Sequence, residues 1–98
     1  MGCKIIFAPQ ALADLEEVVR HIARDDPVTA QRVGNALIDR AAILENFPLL
    51  GSPYHKRSGV RKLVSRPYLI FYRPRLEEGW VDVLRYWHAA RGEVGLDL

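Results

Sequence analysis

Three short runs rich in β-branched and aromatic residues lie close together in the second half of the chain. They are Val60–Val64, Tyr68–Tyr72 and Val81–Tyr86. Each has the length and composition of a single strand, and turn-prone breaks at Arg66-Pro67 and Glu77–Gly79 separate them. The sequence therefore predicts neighbouring strands of one sheet, which the rest of the chain must cover.

Two amphipathic helices are predicted ahead of these strands. A short strand at Lys4–Phe7 comes first, followed by a helix over Gln10–Arg24 whose apolar positions recur with helical spacing. A second helix is predicted over Pro27–Phe47, with Asp26 as its N-cap and Pro48 ending it. Because the linker between the helices is so short, they must form an antiparallel hairpin.

The predicted order is strand, helix, helix and three strands, with a loop over Leu49–Gly59. It indicates an α+β fold, with the helical hairpin packed on one face of a small, mainly antiparallel sheet (β-α-α-β-β-β). A chain of 98 residues can build one core of this size, so a single domain is expected over residues 1–98. No apolar run reaches the about 20 residues of a membrane span.

Cysteine and histidine content bounds the chemistry. Cys3 is the only thiol, so an internal disulfide is impossible and a reducing, cytoplasmic compartment is expected. One cysteine and three scattered histidines cannot readily supply four zinc ligands. We therefore expect neither a metal nor a cofactor.

The charges divide unevenly along the chain. Residues 1–50 carry five Lys or Arg against seven Asp or Glu, whereas residues 51–98 carry nine against five. No acidic residue lies between Glu45 and Glu77. Although the formal net charge is only +2, this split favours a basic face on the strand half of the molecule. Such a face could bind a polyanion or an acidic protein.

Strand alternation predicts an apolar strip on the sheet face away from the hairpin. The strip consists of Leu69, Phe71, Val81, Val83 and Trp87, flanked by Arg61, Arg73 and Arg85. An acidic, amphipathic segment of a partner could dock there as a helix or an added strand. The alternative is that the C-terminal residues cover the strip, although Gly92–Leu98 looks too short and too flexible to do so fully.

Four features together resemble the RelE/ParE superfamily of bacterial type II toxins. They are the order of elements, FPLLG at Phe47–Gly51, VRKLVSRPYLIFYR at Val60–Arg73 and VDVLRYWHAAR at Val81–Arg91. The resemblance covers nearly the whole chain. It implies a growth-inhibiting toxin, acting in plasmid stabilisation and neutralised by a small antitoxin. RelE-like members cleave mRNA in the ribosomal A site, whereas ParE-like members poison DNA gyrase.

The residues favour the ParE-like branch. RelE-like ribonucleases carry one arginine in the third strand of the resembling segment and another after the fourth strand. The resemblance places Leu69 and Ala89 of this chain at those two positions. Lys62 alone matches, and the C-terminal tyrosine of such enzymes is missing. An apolar leucine cannot neutralise a phosphorane. The resemblance therefore implies a ParD-like antitoxin in a hetero-oligomeric complex, gyrase as target and no catalytic residues.

Two alternatives stay open at the level of sequence. In the ribonuclease alternative, Lys62, His88 and Arg91 would be the catalytic candidates, since the ordinary pKa of histidine suits acid–base work near neutrality. A stand-alone nucleic-acid-binding module using residues 56–75 is a weaker alternative, because few cations are available for counterion release. For the gyrase reading, the expected contact residues cluster at the end of the last strand: Arg85, Trp87, His88 and Arg91.

Overall fold

The computed structural model describes residues 2–98, and the fold is α+β, as the sequence predicts. The helices are α1 (Pro9–Ala23) and α2 (Pro27–Ala42), and the strands are β1 (Lys4–Phe7), β2 (Ser52–Pro53), β3 (Arg61–Ser65), β4 (Tyr68–Arg75) and β5 (Trp80–His88). Short 3-10 turns at Ile43–Glu45 and Ala89–Arg91 follow α2 and β5. Within residues 2–98, neither helix is long and apolar enough to span a membrane.

The helical hairpin forms where the sequence predicts it. Pro9 and Pro27 occupy the first positions of α1 and α2, where a missing N–H costs no hydrogen bond. The Asp26 carboxylate accepts a hydrogen bond from the backbone N–H of Thr29 at 3.1 Å and caps α2. Hydrogen bonds from the Thr29 side chain and backbone lower the pKa of Asp26. Helix α2 ends at Ala42 and not at the predicted Phe47, because the chain tightens into the 3-10 turn at Ile43–Glu45.

The five strands form one mixed sheet in the order β1-β5-β4-β3-β2. Strand β1 runs parallel to β5, with Ile5 opposite Val81, and every other pairing is antiparallel. Strand β2 lies within the predicted Leu49–Gly59 loop, and its two residues pair with Arg61 and Lys62 of β3. The prediction of a mainly antiparallel sheet beneath a helical hairpin is confirmed.

The main core lies between the helices and one face of the sheet. The helices contribute Ala11, Leu37 and Ala41, the 3-10 turn contributes Leu44, and the sheet contributes Leu63, Ile70, Tyr72, Val81, Val83 and Tyr86. All of these side chains are buried. Burying a large apolar side chain contributes about 1.5–3 kcal/mol, so this cluster supplies much of the driving force for folding.

A β-bulge in β5 changes which side chains face this core. Phe71 of β4 lies opposite Arg85, whereas the next residue, Tyr72, lies opposite Val83. Leu84 is therefore the extra residue of the bulge, and strict alternation fails at this point. Val81 and Val83 face the helices together with Tyr86, three residues beyond Val83 instead of two.

The segment after α2 is fixed to the sheet by polar contacts. The backbone N–H of Gly51 donates a hydrogen bond to the Tyr72 hydroxyl at 2.8 Å. The Arg61 guanidinium donates to the carbonyls of Leu49 and Gly51 at 3.2 and 2.6 Å. Burial raises the pKa of Tyr72, which keeps this hydroxyl neutral. These contacts position β2 at the edge of the sheet.

Candidate functional site

A second apolar cluster lies on the opposite face of the sheet, which we call the outer face. Its buried members are Tyr54, Val60, Phe71 and Trp87, and Leu69 and Leu84 pack against it while partly exposed. Phe71 and Trp87 are each only 1 % exposed. The rings of Tyr54 and Phe71 meet edge to face, with centroids 5.1 Å apart. The sequence correctly predicts that Leu69, Phe71 and Trp87 share this face.

The C-terminal tail, Gly92–Leu98, covers the outer face. Leu96 and Leu98 pack against the second apolar cluster. The Trp87 indole N–H donates a hydrogen bond to the Gly92 carbonyl at 2.6 Å, and an Arg85 N–H donates to the Asp97 carbonyl at 3.3 Å. Leu96 and Leu98 thus reach the aromatic side chains, although the tail was expected to be too short to cover the strip fully, and Leu69 stays partly exposed.

Glu93 provides the polar attachment of the tail. Its carboxylate accepts a hydrogen bond from the Tyr54 hydroxyl and forms an ion pair with Lys56 at 3.1 Å. The hydrogen bond from Tyr54, followed by that from Lys56, lowers the pKa of Glu93. The same hydrogen bond raises the pKa of Tyr54. The tail thus combines one carboxylate with two apolar side chains on a face that offers a cation and an apolar floor.

Val81 and Val83 do not belong to the outer face, and their predicted place in the apolar strip is wrong. Both are 0 % exposed and pack in the main core under the helices. The extra residue at the bulge separates them from Trp87, which lies on the other face. A partner could not reach either valine without opening the core.

Arg85 is also not the exposed flank that the sequence predicts. Its guanidinium bonds to the carboxylate of Asp14 on α1, with Nε–Oδ2 and Nη2–Oδ1 distances of 2.7 and 3.0 Å. Both residues are buried. Hydrogen bonding to Asp14 raises the pKa of Arg85 against the opposing effect of burial. Asp14 also accepts from the backbone N–H of Tyr86 at 3.1 Å, so the pair closes the edge of β5 beyond the end of β1.

The other two predicted flanks hold loops in place. Arg61 lies on the helix side of the sheet, since it precedes the core residue Leu63 by two positions in β3. Arg73 donates to the Ser58 carbonyl at 3.1 Å, beside Gly59. The cationic side chains exposed near the tail are instead Lys56 and Arg57, which lie in the loop before β3.

Lys62 stands opposite Phe71 on the outer face. It lines a shallow pocket beside the tail with Tyr54, Leu69, Phe71, Trp87, Ala89, Gly92 and Glu93. Leu69 and Ala89 are thus both at the pocket, and Lys62 is its sole lysine or arginine among the described residues. The pocket therefore places the Lys62 ammonium group and the Glu93 carboxylate beside an apolar floor.

His88 and Arg91 line a different cleft, between α1 and the end of β5. Its other lining residues are Asp14, Glu17, Val18, His21, Tyr68 and Tyr86. The Nδ1 atom of His88 accepts a hydrogen bond from the backbone N–H of Ala90 at 3.1 Å, and its ring meets Tyr68 edge to face. The Arg91 guanidinium stacks 3.8 Å from the centroid of the Trp87 ring. Lys62 and His88 therefore do not share a pocket.

Sequence reasoning did not single out Asp14, Tyr54, Glu93, Leu96 or Leu98 as site residues. A signal for Asp14 is present, since it falls three positions after the buried Ala11 and so lies on the core-facing stripe of α1. No local pattern identifies the contacts of Glu93 with Tyr54 and Lys56, because these residues are 39 and 37 positions apart in sequence. In the part of the chain that the structure describes, no three His, Cys, Asp or Glu side chains form a group that could hold a metal ion.

The fold is similar to those of chains in two solved toxin–antitoxin systems. One is the chromosomal ParDE system of P. aeruginosa, with a TM-score of 0.76 and 21 % identity over 88 % of this chain and 95 % of that chain. The other is the RelBE2 toxin–antitoxin complex of Mycobacterium tuberculosis, with a TM-score of 0.70 and 25 % identity over 90 % of this chain and 99 % of that chain. No curated protein sequence matches the chain significantly.

The family model of the ParE toxin of the type II toxin–antitoxin system parDE matches residues 5–92. The matched region begins at the second residue of β1 and ends just after the 3-10 turn that follows β5, so it contains both helices and all of the sheet except Lys4. The chain therefore belongs to the ParE family of type II toxins.

Proposed function

We propose that this ParE-family toxin acts in the cytoplasm by binding DNA gyrase, without hydrolytic chemistry, and that a ParD-like antitoxin neutralises it in a hetero-oligomeric complex. The observation that carries the proposal is the pocket of the outer face. Leu69 and Ala89 stand beside Lys62 there, at the two positions where the resemblance would place arginines in a ribonuclease. A surface of this composition suits binding to protein better than cleavage of RNA.

Antitoxin binding is proposed for the outer face. Its floor contains Leu69, Phe71 and Trp87, with Lys56 and Lys62 nearby. An acidic amphipathic segment complements both the apolar floor and the cations. Arg61, Arg73 and Arg85 contribute indirectly, because their guanidinium groups hold the loops and α1 against the sheet.

Leu69→Ala tests this face without removing a fully buried side chain. We expect weaker binding of the co-expressed antitoxin, measured by calorimetry, because the substitution removes apolar contact area from the floor. Leu76→Ala, at a leucine that is 52 % exposed in the turn between β4 and β5, is the matched control. Equal affinities for both variants and the unsubstituted chain would place the antitoxin elsewhere.

Gyrase contact is proposed for the end of β5 and the 3-10 turn after it. Arg91 is exposed there and His88 lines the adjoining cleft, whereas the buried Arg85 and Trp87 support this surface from within. His88→Ala and Arg91→Ala should relieve inhibition of gyrase supercoiling. Arg24→Ala, an exposed arginine after α1, should not.

The likeness to a RelBE complex at 25 % identity favours ribosome-dependent mRNA cleavage as the second candidate function. The same purified chain should therefore be tested with gyrase and with ribosome-bound mRNA. Inhibited supercoiling with intact mRNA supports the gyrase proposal. Cleaved mRNA that is lost in Lys62→Ala, with normal supercoiling, would replace it with the ribonuclease.

A further inference from the structure

The tail is the occupant of the outer face in this structure, and its attachment is slight. Leu96 and Leu98 remain partly exposed, and Val94 between Glu93 and Leu96 is 92 % exposed. The Glu93–Lys56 ion pair has side chains that are 41 % and 55 % exposed. Exposed ion pairs contribute little, so the tail is held chiefly by two half-buried leucines and a few hydrogen bonds.

The backbone of the tail turns at two glycines. Gly92 and Gly95 adopt positive φ angles of 65° and 85°, and no atom lies within 4 Å of where a Cβ would stand at either position. Release of the tail would break its hydrogen bonds to the Trp87 and Arg85 side chains of β5, but no strand pairing of the sheet, since those pairings lie within residues 4–88. The tail can therefore be released while the helices and the main core stay intact.

The floor beneath the tail cannot stay uncovered at low cost. Val60, Phe71 and Trp87 are each no more than 2 % exposed, and together with Tyr54 they form a continuous apolar surface. Release of the tail would expose this surface to water, which costs free energy in proportion to its area. Whatever displaces the tail must cover the same atoms.

We propose that the tail is exchangeable, and that an antitoxin segment of matching chemistry displaces it from the outer face. This segment presents a carboxylate to Tyr54 and Lys56 and places apolar side chains where Leu96 and Leu98 lie, three and five residues further on. The proposal rests on the antitoxin partnership proposed above. It adds that toxin residues and antitoxin residues compete for one site.

The contacts of the tail show which chemistry the outer face accepts, and therefore which kind of segment could replace the tail. A carboxylate satisfies the Tyr54 hydroxyl and the Lys56 ammonium group, and two leucines fill the floor. A nucleic acid offers phosphates and no aliphatic side chains, so it would leave the apolar floor uncovered. An acidic peptide segment with spaced apolar residues meets both requirements.

If the tail and the antitoxin compete for the outer face, substitutions that weaken attachment of the tail should tighten antitoxin binding. In the full chain, Leu96→Ala combined with Leu98→Ala should tighten antitoxin binding about tenfold, which corresponds to about 1.4 kcal/mol, because the fraction of open outer face increases. Leu69→Ala, in the floor, should weaken binding. Val94→Ala alters an exposed side chain of the same tail and should leave the affinity unchanged. Calorimetry of the three variants with the cognate antitoxin gives all three values.

The NMR signal of the Trp87 indole N–H can report directly whether the tail or the antitoxin occupies the outer face. The indole N–H of Trp87 bonds to the carbonyl of Gly92, the first residue of the tail, when the tail is attached. Its ¹H–¹⁵N signal should therefore shift when the tail is released in the Leu96→Ala/Leu98→Ala variant, and shift again when antitoxin is added. A synthetic peptide of residues 92–98 should restore the original position of the signal in that variant at millimolar concentration.

The outcomes separate the exchange from the antitoxin assignment. If antitoxin binds all variants with one affinity and leaves the Trp87 signal of the full chain unmoved, exchange is wrong although the partnership holds. If the peptide restores the signal but no antitoxin binds any variant, the face accepts the tail's chemistry and the proposed partnership fails. Opposite changes in affinity from tail and floor substitutions establish exchange.

Discussion

Asp14 of α1 and Arg85 of β5, 71 residues apart in sequence, form a buried ion pair with two short hydrogen bonds. The same carboxylate accepts the backbone N–H of Tyr86 and a hydrogen bond from the Gln10 amide at 3.2 Å. Each oxygen of Asp14 thus has two donors. This cluster attaches α1 to the part of β5 that β1 does not reach.

Asp14→Ala should destabilise the protein strongly. Removal of the carboxylate leaves the Arg85 charge and the Tyr86 N–H without their buried partner, and such losses typically cost about 3–5 kcal/mol. Urea denaturation measures the change in the free energy of unfolding. The double variant Asp14→Leu/Arg85→Met removes both charges and should lose less. A double variant less stable than Asp14→Ala would contradict this account.

Gly51→Ala should also destabilise the fold. A Cβ at this position would lie 2.7 Å from the Lys62 carbonyl oxygen and 2.9 Å from a ring carbon of Tyr72. Because the nearest atom is backbone, β3 itself would have to shift, at a cost of about 1–3 kcal/mol. Thermal unfolding should show a lower midpoint than for Ser52→Ala, an exposed neighbour in β2. Equal midpoints for the two variants would argue against close packing at Gly51.

Attachment of the tail to the outer face should weaken at acidic pH. The folded-state pKa of Glu93 is lowered from its ordinary value of 4.5, so its contribution is complete above that value and is lost as pH falls through the lowered pKa. The Trp87 indole signal should therefore report release of the tail on acidification. Glu93→Gln should abolish this particular transition. The same transition in both proteins would assign it to another group.

Phe71→Ala should lower the free energy of unfolding, whatever its effect on antitoxin binding. The ring is 1 % exposed and packs with Tyr54, Val60 and Trp87, so truncation removes a fully buried aromatic at a typical cost of about 3–5 kcal/mol. Chemical denaturation should show this loss, whereas Leu69→Ala should change stability far less. Similar losses for both variants would mean that Leu69 is as deeply packed as Phe71.

Sequence patterns predict most of the fold because its signals are local. Proline at the start of α2, the Asp26 cap and the spacing of apolar residues act within a few positions, and each lies where predicted. Strand β2 was not predicted, because two residues are too few to show a periodic pattern. They form a strand only because they lie beside β3 and pair with it. The parallel pairing of β1 likewise depends on a partner at the other end of the chain.

The outer face could be predicted only in part, for a specific physical reason. Alternation assigns side chains to faces only while the register is continuous, and the extra Leu84 reverses the assignment for the residues before it. Val81 and Val83 were misplaced for this reason, whereas Leu69, Phe71 and Trp87 were placed correctly. The burial of Arg85 follows from Asp14 on a distant helix, which no pattern within β5 contains.

The parallel pairing of β1 with β5 has a consequence for how the toxin comes into being. Residues 4–7 find their partners at residues 80–83, so the first strand has no place in the sheet until the last strand has been synthesised. Contacts of such wide sequence separation form late, after the local hairpins. A nascent or prematurely terminated chain that ends before residue 80 therefore cannot complete its core, and a cell translating this message meets a folded toxin only after residues 80–83 have been made.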